Sequence, residues 1–346
     1  MASPFDETRL DDEGALALAD PVLRPLAEGG ARVRREAGEA AEVIERAVEA
    51  ASGDSRPRAV VAAGPDSRLL RAVLEPSCPV PFVAWPGPSL PGWAGSLDLV
   101  VVLAPEGGDT GTASAVAEAV RRGCQLVVAC PLHSVVAEHA AGRHSTILPT
   151  ATGDQLATAV VMLEFLARLG LGPATDPEAV AVALDDVAVE CSPYRDLSVN
   201  PAKMLSIALA DSVPLVWGGS VLAARAARRV AESIRRASGR TALAGDAEHL
   251  LPVIAAAKAH DVFADPFADD EESDRRPVLV ILDDGSADAS VREQRGRLTH
   301  AAQDRDLRVE TVATEAANEL ARYAALLATG TYAAAYLAVG LGQATR

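Results

Sequence analysis

The sequence is poor in aromatic residues, and its acidic residues outnumber its basic ones. Aromatic residues make up 3% of the 346 residues, so the core must be built from Ala, Val and Leu. The formal net charge of −16 argues against nucleic-acid and anionic-membrane surfaces, because both need basic patches. We therefore expect no nucleic-acid partner and no membrane partner.

Motifs for metals, redox chemistry and export are also missing. The four cysteines are scattered without CxxC spacing, so we expect them to be reduced and mostly structural, as in the cytoplasm. His133, His139 and His144 lack the spacing of metal ligands, and no G-x-G-x-x-G follows a predicted strand. The acidic amino terminus has no signal-peptide core, and no apolar run approaches the roughly 20 residues of a membrane span. The sequence predicts a soluble cytoplasmic protein without metal or cofactor.

The most informative stretch present is a predicted strand, loop, helix and strand. Leu97 to Leu103 is an apolar, Val-rich run, which is typical of a strand covered on both faces, and Leu126 to Cys130 is a second such run. Between them, Ala115, Val116 and Ala119 share one helix face. This order predicts a right-handed crossover in a parallel sheet.

The loop between the first of these strands and the helix is a candidate ligand site. Gly107 and Gly108 allow close backbone approach, and Thr110 or Thr112 is expected to cap the helix. Open α/β sheets bind ligands at the carboxyl ends of strands, and the free N–H groups of a helix start favour anions. An ordinary tight turn remains the alternative.

The alternation of strands and helices occurs in both halves of the chain, separated by the sequence GLGPATDP. We predict an α/β fold with two domains, 1–172 and 173–346, each a parallel sheet flanked by helices in a flavodoxin-like three-layer sandwich. Pro21 and Pro25 are expected to reduce the segment from Ala15 to Leu26 to a short helix or turn. We also expect a short strand at Thr241-Ala242 and a solvated acidic loop over residues 267–276.

Two motifs in the second half make the sequence resemble the two-domain sugar isomerase (SIS) proteins. Asn200-Pro201-Ala202-Lys203 is similar to the Asn-x-Ala-Lys stretch that opens the second domain of the bifunctional phosphoglucose/phosphomannose isomerases. Tyr336-Leu337-Ala338 is similar to a segment of the last helix of that family. The resemblance implies two SIS domains, aldose–ketose isomerisation of glucose or mannose 6-phosphate, and a sugar phosphate as the ligand.

The resemblance places the substrate in two loops of the first half. The first family loop, glycine-rich and ending in Ser, corresponds to Ala63 to Ser67, and the phosphate loop Ser-x-Ser-Gly-Asn-Thr corresponds to Ala104 to Thr110. In this chain the two phosphate-loop hydroxyls are lost and two carboxylates are present, which repel a phosphate unless a cation or Arg intervenes. The candidate substrate-binding residues are Gly64, Ser67, Gly107, Gly108, Asp109, Thr110, Thr112 and Lys203.

The resemblance also implies two catalytic groups, because isomerisation needs a base at C1 and C2 and an acid/base for ring opening. The family His corresponds to His249, which follows Glu248, and the family Glu aligns near Arg235-Arg236, with Glu232 one turn earlier as its only substitute. Two hypotheses follow: an isomerase, or a catalytically degenerate sugar-phosphate-binding or scaffolding protein of carbohydrate metabolism. Whether the protein is an enzyme stays open.

The final predicted helix, Leu320 to Leu341, is apolar on nearly every face. Such a helix must be buried in its own domain or against another subunit. Members of the SIS family complete their active site across a dimer, and symmetric dimers are the commonest way to cover such a surface. We therefore expect a homodimer, with full enclosure by the same chain as the alternative.

Overall fold

The computed structural model describes residues 4–51, 55–257 and 275–343. The chain forms two compact units, Gly29–Ala181 (the first unit) and Met1–Glu28 with Val182–Arg346 (the second unit). The domain limits 1–172 and 173–346 stay a prediction. The acidic loop expected over residues 267–276 lies almost wholly outside the described residues.

Strands and helices alternate along the chain. Up to the break between the halves, the elements are α1 (Glu13–Ala27), α2 (Gly29–Ala51), β1 (Val60–Ala63), α3 (Ser67–Leu74), β2 (Phe82–Trp85), β3 (Leu99–Leu103), α4 (Thr110–Arg121), β4 (Gln125–Cys130), α5 (Val135–His139), β5 (Ser145–Pro149) and α6 (Gln155–Arg168). They continue with α7 (Pro177–Glu190), α8 (Pro201–Ala210), β6 (Ser212–Gly218), α9 (Val221–Ser238), β7 (Leu243–Ala244), α10 (Ala247–Ala255), β8 (Arg276–Asp283), α11 (Ala289–Asp304), β9 (Val309–Ala313) and α12 (Glu319–Gly340). Short 3-10 helices occur at Glu7–Leu10 and Leu197–Val199.

Each unit contains one parallel sheet. The first has five strands in the order β2-β1-β3-β4-β5, and the second has four in the order β7-β6-β8-β9. In the first sheet Val60 lies opposite both Phe82 and Leu99, so β1 is paired on both sides. All five residues of β3 are buried, as expected for a strand covered on both faces. The predicted α/β class with two parallel sheets is confirmed.

Small and branched side chains fill the cores, as the scarcity of aromatic residues requires. In the first unit, Val100, Val102 and Val128 pack with Ala115 and Val116 of α4. In the second unit, strand residues pack against α10 and α11 in a cluster that includes Leu215, Trp217, Leu279, Ile281, Leu250, Ile254 and Leu298. Full burial of each such Val, Leu or Ile contributes about 1.5–3 kcal/mol.

The expectation that prolines interrupt the first helical segment is wrong. α1 runs without a break from Glu13 to Ala27 with Pro21 and Pro25 inside it. The two prolines are four residues apart and both are exposed, so they share the solvent face of the helix. Water can therefore hydrogen-bond the carbonyls that lose their N–H partners, while Ala19 and Leu23 are buried on the other side.

Three local elements differ from the prediction. The structure contains α5 and the edge strand β5, neither of which was expected, and β5 pairs in parallel with β4. Most of β5 is only half-buried, because it lies at the edge of the sheet. An edge strand does not need a continuous apolar run, so the sequence pattern did not reveal it. The short strand expected at Thr241-Ala242 is displaced to Leu243–Ala244.

Helix α12 is continuous through Gly330. A Cβ at Gly330 would lie 2.3 Å from a methyl group of Val230, so glycine permits the close approach of α12 to α9. Within the described residues, α12 alone is long and apolar enough to cross a membrane, contrary to the expectation of no such stretch. However, 83% of its most apolar window is buried in the protein, as in the core helix of a soluble protein.

Candidate functional site

The order of the first sheet creates a crevice at the carboxyl ends of β1 and β3. The chain moves from β1 to β2 on one side, whereas β3 lies on the other side of β1, so the order reverses between β1 and β3. Ligands of open α/β sheets bind at such a switch point. The loops after these strands meet there, since a Cβ at Gly64 would lie 3.2 Å from Thr112 Oγ1. The structure thus brings Gly64 and Thr112 together, as needed for a shared site.

Asp109 caps the helix that begins at this crevice. Its carboxylate Oδ2 accepts hydrogen bonds from Thr112 N at 2.6 Å and from Thr112 Oγ1 at 2.5 Å. The expected cap, Thr110 or Thr112, is therefore wrong. Asp109 holds the extended backbone of an N-cap residue, whereas Thr110 is already the first residue of α4 and Thr112 serves as the donor.

The cap places a negative charge at the anion-attracting end of α4. The hydrogen bond from the Thr112 side chain, followed by that from the Thr112 backbone, lowers the pKa of Asp109 below its ordinary value. The carboxylate is therefore ionised at neutral pH. It accepts a hydrogen bond from the N–H of Thr112 at the start of α4. A bound anion would otherwise be favoured at this position. A phosphate at the same place meets a like charge.

The two glycines of the loop have different environments. Gly107 has a φ of +67°, and a Cβ there would lie 2.3 Å from Ser134 Cβ, so this position requires glycine. Val136 N donates to Gly107 O at 3.2 Å, which ties the loop to the start of α5. A Cβ at Gly108 would meet nothing within 4 Å. Gly108 and Thr110 are exposed, so this part of the loop is accessible to a ligand.

Ser67 lies at the first residue of α3, on the other side of the crevice. Its side chain is 1% exposed, and its Oγ has no hydrogen-bond partner among the described residues. The preceding residue, Asp66, accepts a hydrogen bond from Gln155 Nε2 of α6. A buried hydroxyl without a partner is costly, so Ser67 is the polar group of this loop with unused hydrogen-bonding capacity.

Lys203 has partners within the second unit. Its Nζ donates to Asp11 Oδ1 at 2.7 Å, to Pro193 O at 2.9 Å and to Arg195 O at 3.0 Å. These contacts use the three donors of the ammonium group, and the side chain is 1% exposed. The ammonium also lies 5.7 Å from the ring centroid of Tyr336. The two motifs that carry the family resemblance therefore pack against each other.

The candidate catalytic residues lie on two helices of the second unit. His249 on α10 has 81% of its side chain exposed, and its Nδ1 lies 3.9 Å from Asp246 Oδ2. Glu232 on α9 forms ion pairs with Arg229 at 2.7 Å and Arg236 at 2.6 Å. Within the described residues, no hydrogen bond or ion pair joins His249 to Glu232. Their catalytic roles stay a prediction.

The second sheet has a corresponding crevice between β6 and β8 that the sequence analysis missed. Ser220 caps α9 by accepting from Ala223 N at 3.0 Å, and its hydroxyl donates to Asp284 Oδ2. Arg322 donates to the backbone oxygen of Asp284 at 3.2 Å. The glycine turn before Ser220 is visible in the sequence, but no local pattern links that turn to Asp284.

Metal binding finds no support in the described residues. Across 4–51, 55–257 and 275–343, no group of three or more His, Cys, Asp or Glu side chains is placed to hold a metal ion. The candidate site therefore consists of backbone amides, hydroxyls and carboxylates. Such groups hydrogen-bond a polar organic ligand.

Comparison with known proteins identifies the family of the second half. Residues 198–344 match the family model of the bacterial phospho-glucose isomerase C-terminal SIS domain. No curated protein sequence matches the chain significantly. The resemblance to SIS proteins is confirmed for this half: residues 198–344 carry an SIS domain of the bacterial phospho-glucose isomerase type.

Solved structures with the same fold include several proteins of sugar-phosphate chemistry. The tagatose-6-phosphate ketose/aldose isomerase of Escherichia coli is 13% identical with a TM-score of 0.64, and the match covers 94% of this chain and 93% of that one. The C-terminal domain of glucosamine-fructose-6-phosphate aminotransferase from Francisella tularensis is 11% identical with a TM-score of 0.58, covering 90% and 96%. A glucose-6-phosphate isomerase like protein from Thermus thermophilus is 18% identical with a TM-score of 0.50, covering 83% and 82%. At these identities the likeness establishes the fold.

Proposed function

We propose that this SIS domain protein binds a sugar ligand at the β1/β3 crevice and has little or no hexose 6-phosphate isomerase activity. The observation that carries the proposal is the carboxylate of Asp109 at the start of α4, hydrogen-bonded to Thr112 N at 2.6 Å. In the resembled family, the phosphate loop lies at this place. The charge at the helix start therefore comes from the chain itself.

The loss of a phosphate anchor affects turnover as well as affinity. Binding energy from a non-reacting phosphate normally contributes to orienting and distorting the sugar at the reacting carbons. In addition, Glu232 is held in ion pairs with two arginines, which does not suit a base that must reach the substrate. Both features support a binding or scaffolding role in carbohydrate metabolism.

The crevice remains suited to the hydroxyl groups of a sugar. Carboxylates accept hydrogen bonds from sugar hydroxyls, and Gly108, Asp109 and Thr110 of the loop are exposed. A sugar phosphate stays a candidate ligand if its phosphate lies away from Asp109 or is accompanied by a cation. Neutral sugars carry no phosphate, so this restriction does not apply to them.

A coupled assay with fructose 6-phosphate tests the proposal. We expect no more glucose or mannose 6-phosphate than in a control without enzyme. A parallel thermal-shift series with fructose 6-phosphate, glucose and mannose measures binding, because a ligand that binds the folded state raises the Tm. Turnover of at least about 1 per second, within the ordinary range for enzymes, would overturn the proposal.

An active hexose 6-phosphate isomerase is the second candidate. It is favoured by the exposure of His249, whose imidazole lies near Asp246 and is open to an incoming substrate. The two candidates differ in one measurement, because His249→Ala affects turnover only in an isomerase.

We also propose that the protein is cytoplasmic and forms a homodimer. The apolar helix α12 no longer requires a second subunit, because most of its residues are buried by the same chain. The homodimer therefore rests on the family resemblance. Light scattering after size exclusion tests it: a mass of one chain at micromolar concentration, independent of dilution, would contradict the dimer.

A further inference from the structure

The first unit contains a cavity at the edge of the sheet opposite the β1/β3 crevice. It has a volume of about 320 Å³ and lies at the amino ends of β3, β4 and β5. The carboxyl-terminal ends of α2 and α6 form two of its walls. Its volume falls at the lower end of the roughly 300–1,000 Å³ of small-molecule sites.

One part of the cavity wall is apolar, beside the polar residues Gln125, Ser145 and Thr146. It includes Leu99 of β3, Val127 of β4, and Phe165 and Leu169 at the end of α6. Ala47 of α2 lines the same space with a small side chain. This surface suits the hydrocarbon or ring portion of a ligand, whose burial contributes roughly 25 cal/mol per Å².

The rim is cationic. Arg56, Arg143 and His144 line the cavity, whereas none of its described lining residues is Asp or Glu. Within the described residues, neither Arg56 nor Arg143 has an ion pair or a side-chain hydrogen bond. By contrast, Arg32 and Arg58 in the same unit are paired with Asp154 at 2.8 Å and Asp98 at 2.6 Å. In a chain of net charge −16, two arginines at one cavity that have no acidic partner in the described part of the chain point to an external anion.

We propose that this cavity binds an amphipathic organic anion. Its carboxylate or phosphate head lies at the rim against Arg56 and Arg143, and its apolar portion lies against Phe165 and Leu169. The ends of α2 and α6 carry the partial negative charge of helix carboxyl termini, which disfavours a charged head at the apolar part of the wall. The guanidinium groups at the rim favour it there, because they bind carboxylates and phosphates through paired N–H donors. The site is separate from the β1/β3 crevice and does not depend on the function proposed for that crevice.

Isothermal titration calorimetry with octanoate and octyl phosphate, each below its micelle concentration, tests the site. We expect saturable binding of at least one of the two at a single site, with a negative heat-capacity change from apolar burial. Inorganic phosphate and the neutral amphiphile 1-octanol should each bind at least tenfold more weakly, since each lacks one half of the required chemistry.

Variants localise the binding. Arg56→Gln and Arg143→Gln should each weaken it about tenfold, the effect of losing one charge-assisted hydrogen bond of about 1.5 kcal/mol. Ala47→Trp should abolish it by filling the cavity. Arg68→Gln, which removes an exposed arginine at the other edge of the sheet, and Gly108→Val in the β1/β3 loop should both leave it unchanged.

Four results would overturn the proposal. They are no saturable binding of octanoate and none of octyl phosphate, equal binding of 1-octanol, unchanged affinity in both Arg56→Gln and Arg143→Gln, and loss of binding in Gly108→Val. Circular dichroism on each variant ensures that lost binding is not lost folding. If Ala47→Trp does not fold, the two arginine variants still decide the outcome.

Discussion

The helices that begin at the two switch-point crevices of the molecule are capped in different ways. At the β1/β3 crevice, the start of α4 is capped by Asp109, which accepts a hydrogen bond from Thr112 N three residues later. At the β6/β8 crevice, the start of α9 is capped by Ser220, whose hydroxyl donates to Asp284, the residue after β8 and 64 residues later in the chain. The carboxylate of Asp109 is thus close in sequence to the helix that it caps, whereas the carboxylate of Asp284 reaches Ser220 only through the folding of the chain.

Under the proposed function, the first crevice is an SIS-like site that has lost affinity for phosphate while its backbone is kept. In both crevices a carboxylate of the chain lies at the start of a helix, where free N–H groups favour an anion. In the first crevice the charge at the helix start comes from Asp109, which belongs to the loop itself. We therefore expect one substitution at Asp109 to restore affinity for phosphate at the first crevice. At the second crevice, the position of the carboxylate depends on contacts between β6 and β8.

The largest difference between the two crevices should come from glycine substitutions. A Cβ at Gly218 would lie 2.2 Å from the backbone carbonyl carbon of Ala223, whereas a Cβ at Gly108 would meet nothing within 4 Å. Gly218→Ala should therefore destabilise the protein by about 1–3 kcal/mol, the usual cost of overpacking. Gly108→Ala should change stability by less than about 1 kcal/mol.

Urea unfolding of both variants, followed by circular dichroism, measures this difference. Equal midpoints for Gly218→Ala and Gly108→Ala would mean that the second crevice is not the more constrained one.

Removing the local cap should have the next largest effect. Asp109→Ala leaves Thr112 N at the start of α4 without its acceptor, and loss of an N-cap typically costs about 0.5–2 kcal/mol. Asp109→Ser should remain close to wild type, because Ser is also a good N-cap. The neighbouring exposed Glu106→Ala is the matched control and should lie within about 0.5 kcal/mol of wild type.

Thermal or urea unfolding of the three variants provides the measurement. If Asp109→Ala is as stable as Glu106→Ala, the carboxylate is not an effective cap and the electrostatic account of the crevice loses its basis.

The residues of these crevices also show what sequence reasoning could predict. The run Leu99–Leu103 is recognisable because both faces of β3 are covered, which leaves an unbroken apolar stretch. The edge strand β5 is only half-buried for most of its length, so the same rule fails there. The parallel sheets and the glycine turn after β3 follow from such local patterns.

The identity of the caps could not be predicted with equal success. Asp109, Thr110 and Thr112 are all good capping residues, and the choice depends on the residue at which the first helical turn begins. The role of Asp284 depends on the pairing of β6 with β8, which no local pattern encodes. The partners of Lys203 were likewise not predictable, because Asp11 lies 192 residues away.

Acid should affect the first crevice through Asp109. The hydrogen bonds from Thr112 lower the pKa of this carboxyl in the folded protein relative to the unfolded value of about 3.9. Its contribution to stability is therefore present above about pH 4 and is lost as the pH falls through the lower folded value. Asp109→Ser should show a smaller loss of stability between neutral pH and pH 3 than wild type. Parallel pH-dependent unfolding curves for the two proteins would contradict this assignment.

The smallest effect is expected at His249. Because 81% of its side chain is exposed, His249→Ala should change stability by less than about 0.5 kcal/mol. If the protein lacks isomerase activity, any residual formation of glucose 6-phosphate should also be unchanged. A decrease of roughly a hundredfold would identify His249 as a general acid/base and favour the isomerase.

The central claim is that the carboxylate of Asp109 occupies the position of a phosphate at the β1/β3 crevice. The most direct test is calorimetric titration of wild type and Asp109→Ser with fructose 6-phosphate at low ionic strength. Replacing the carboxylate with a hydroxyl keeps the cap and removes the like charge, so Asp109→Ser should bind at least roughly tenfold more tightly. Equal affinities for the two proteins, or tighter binding by wild type, would contradict the account.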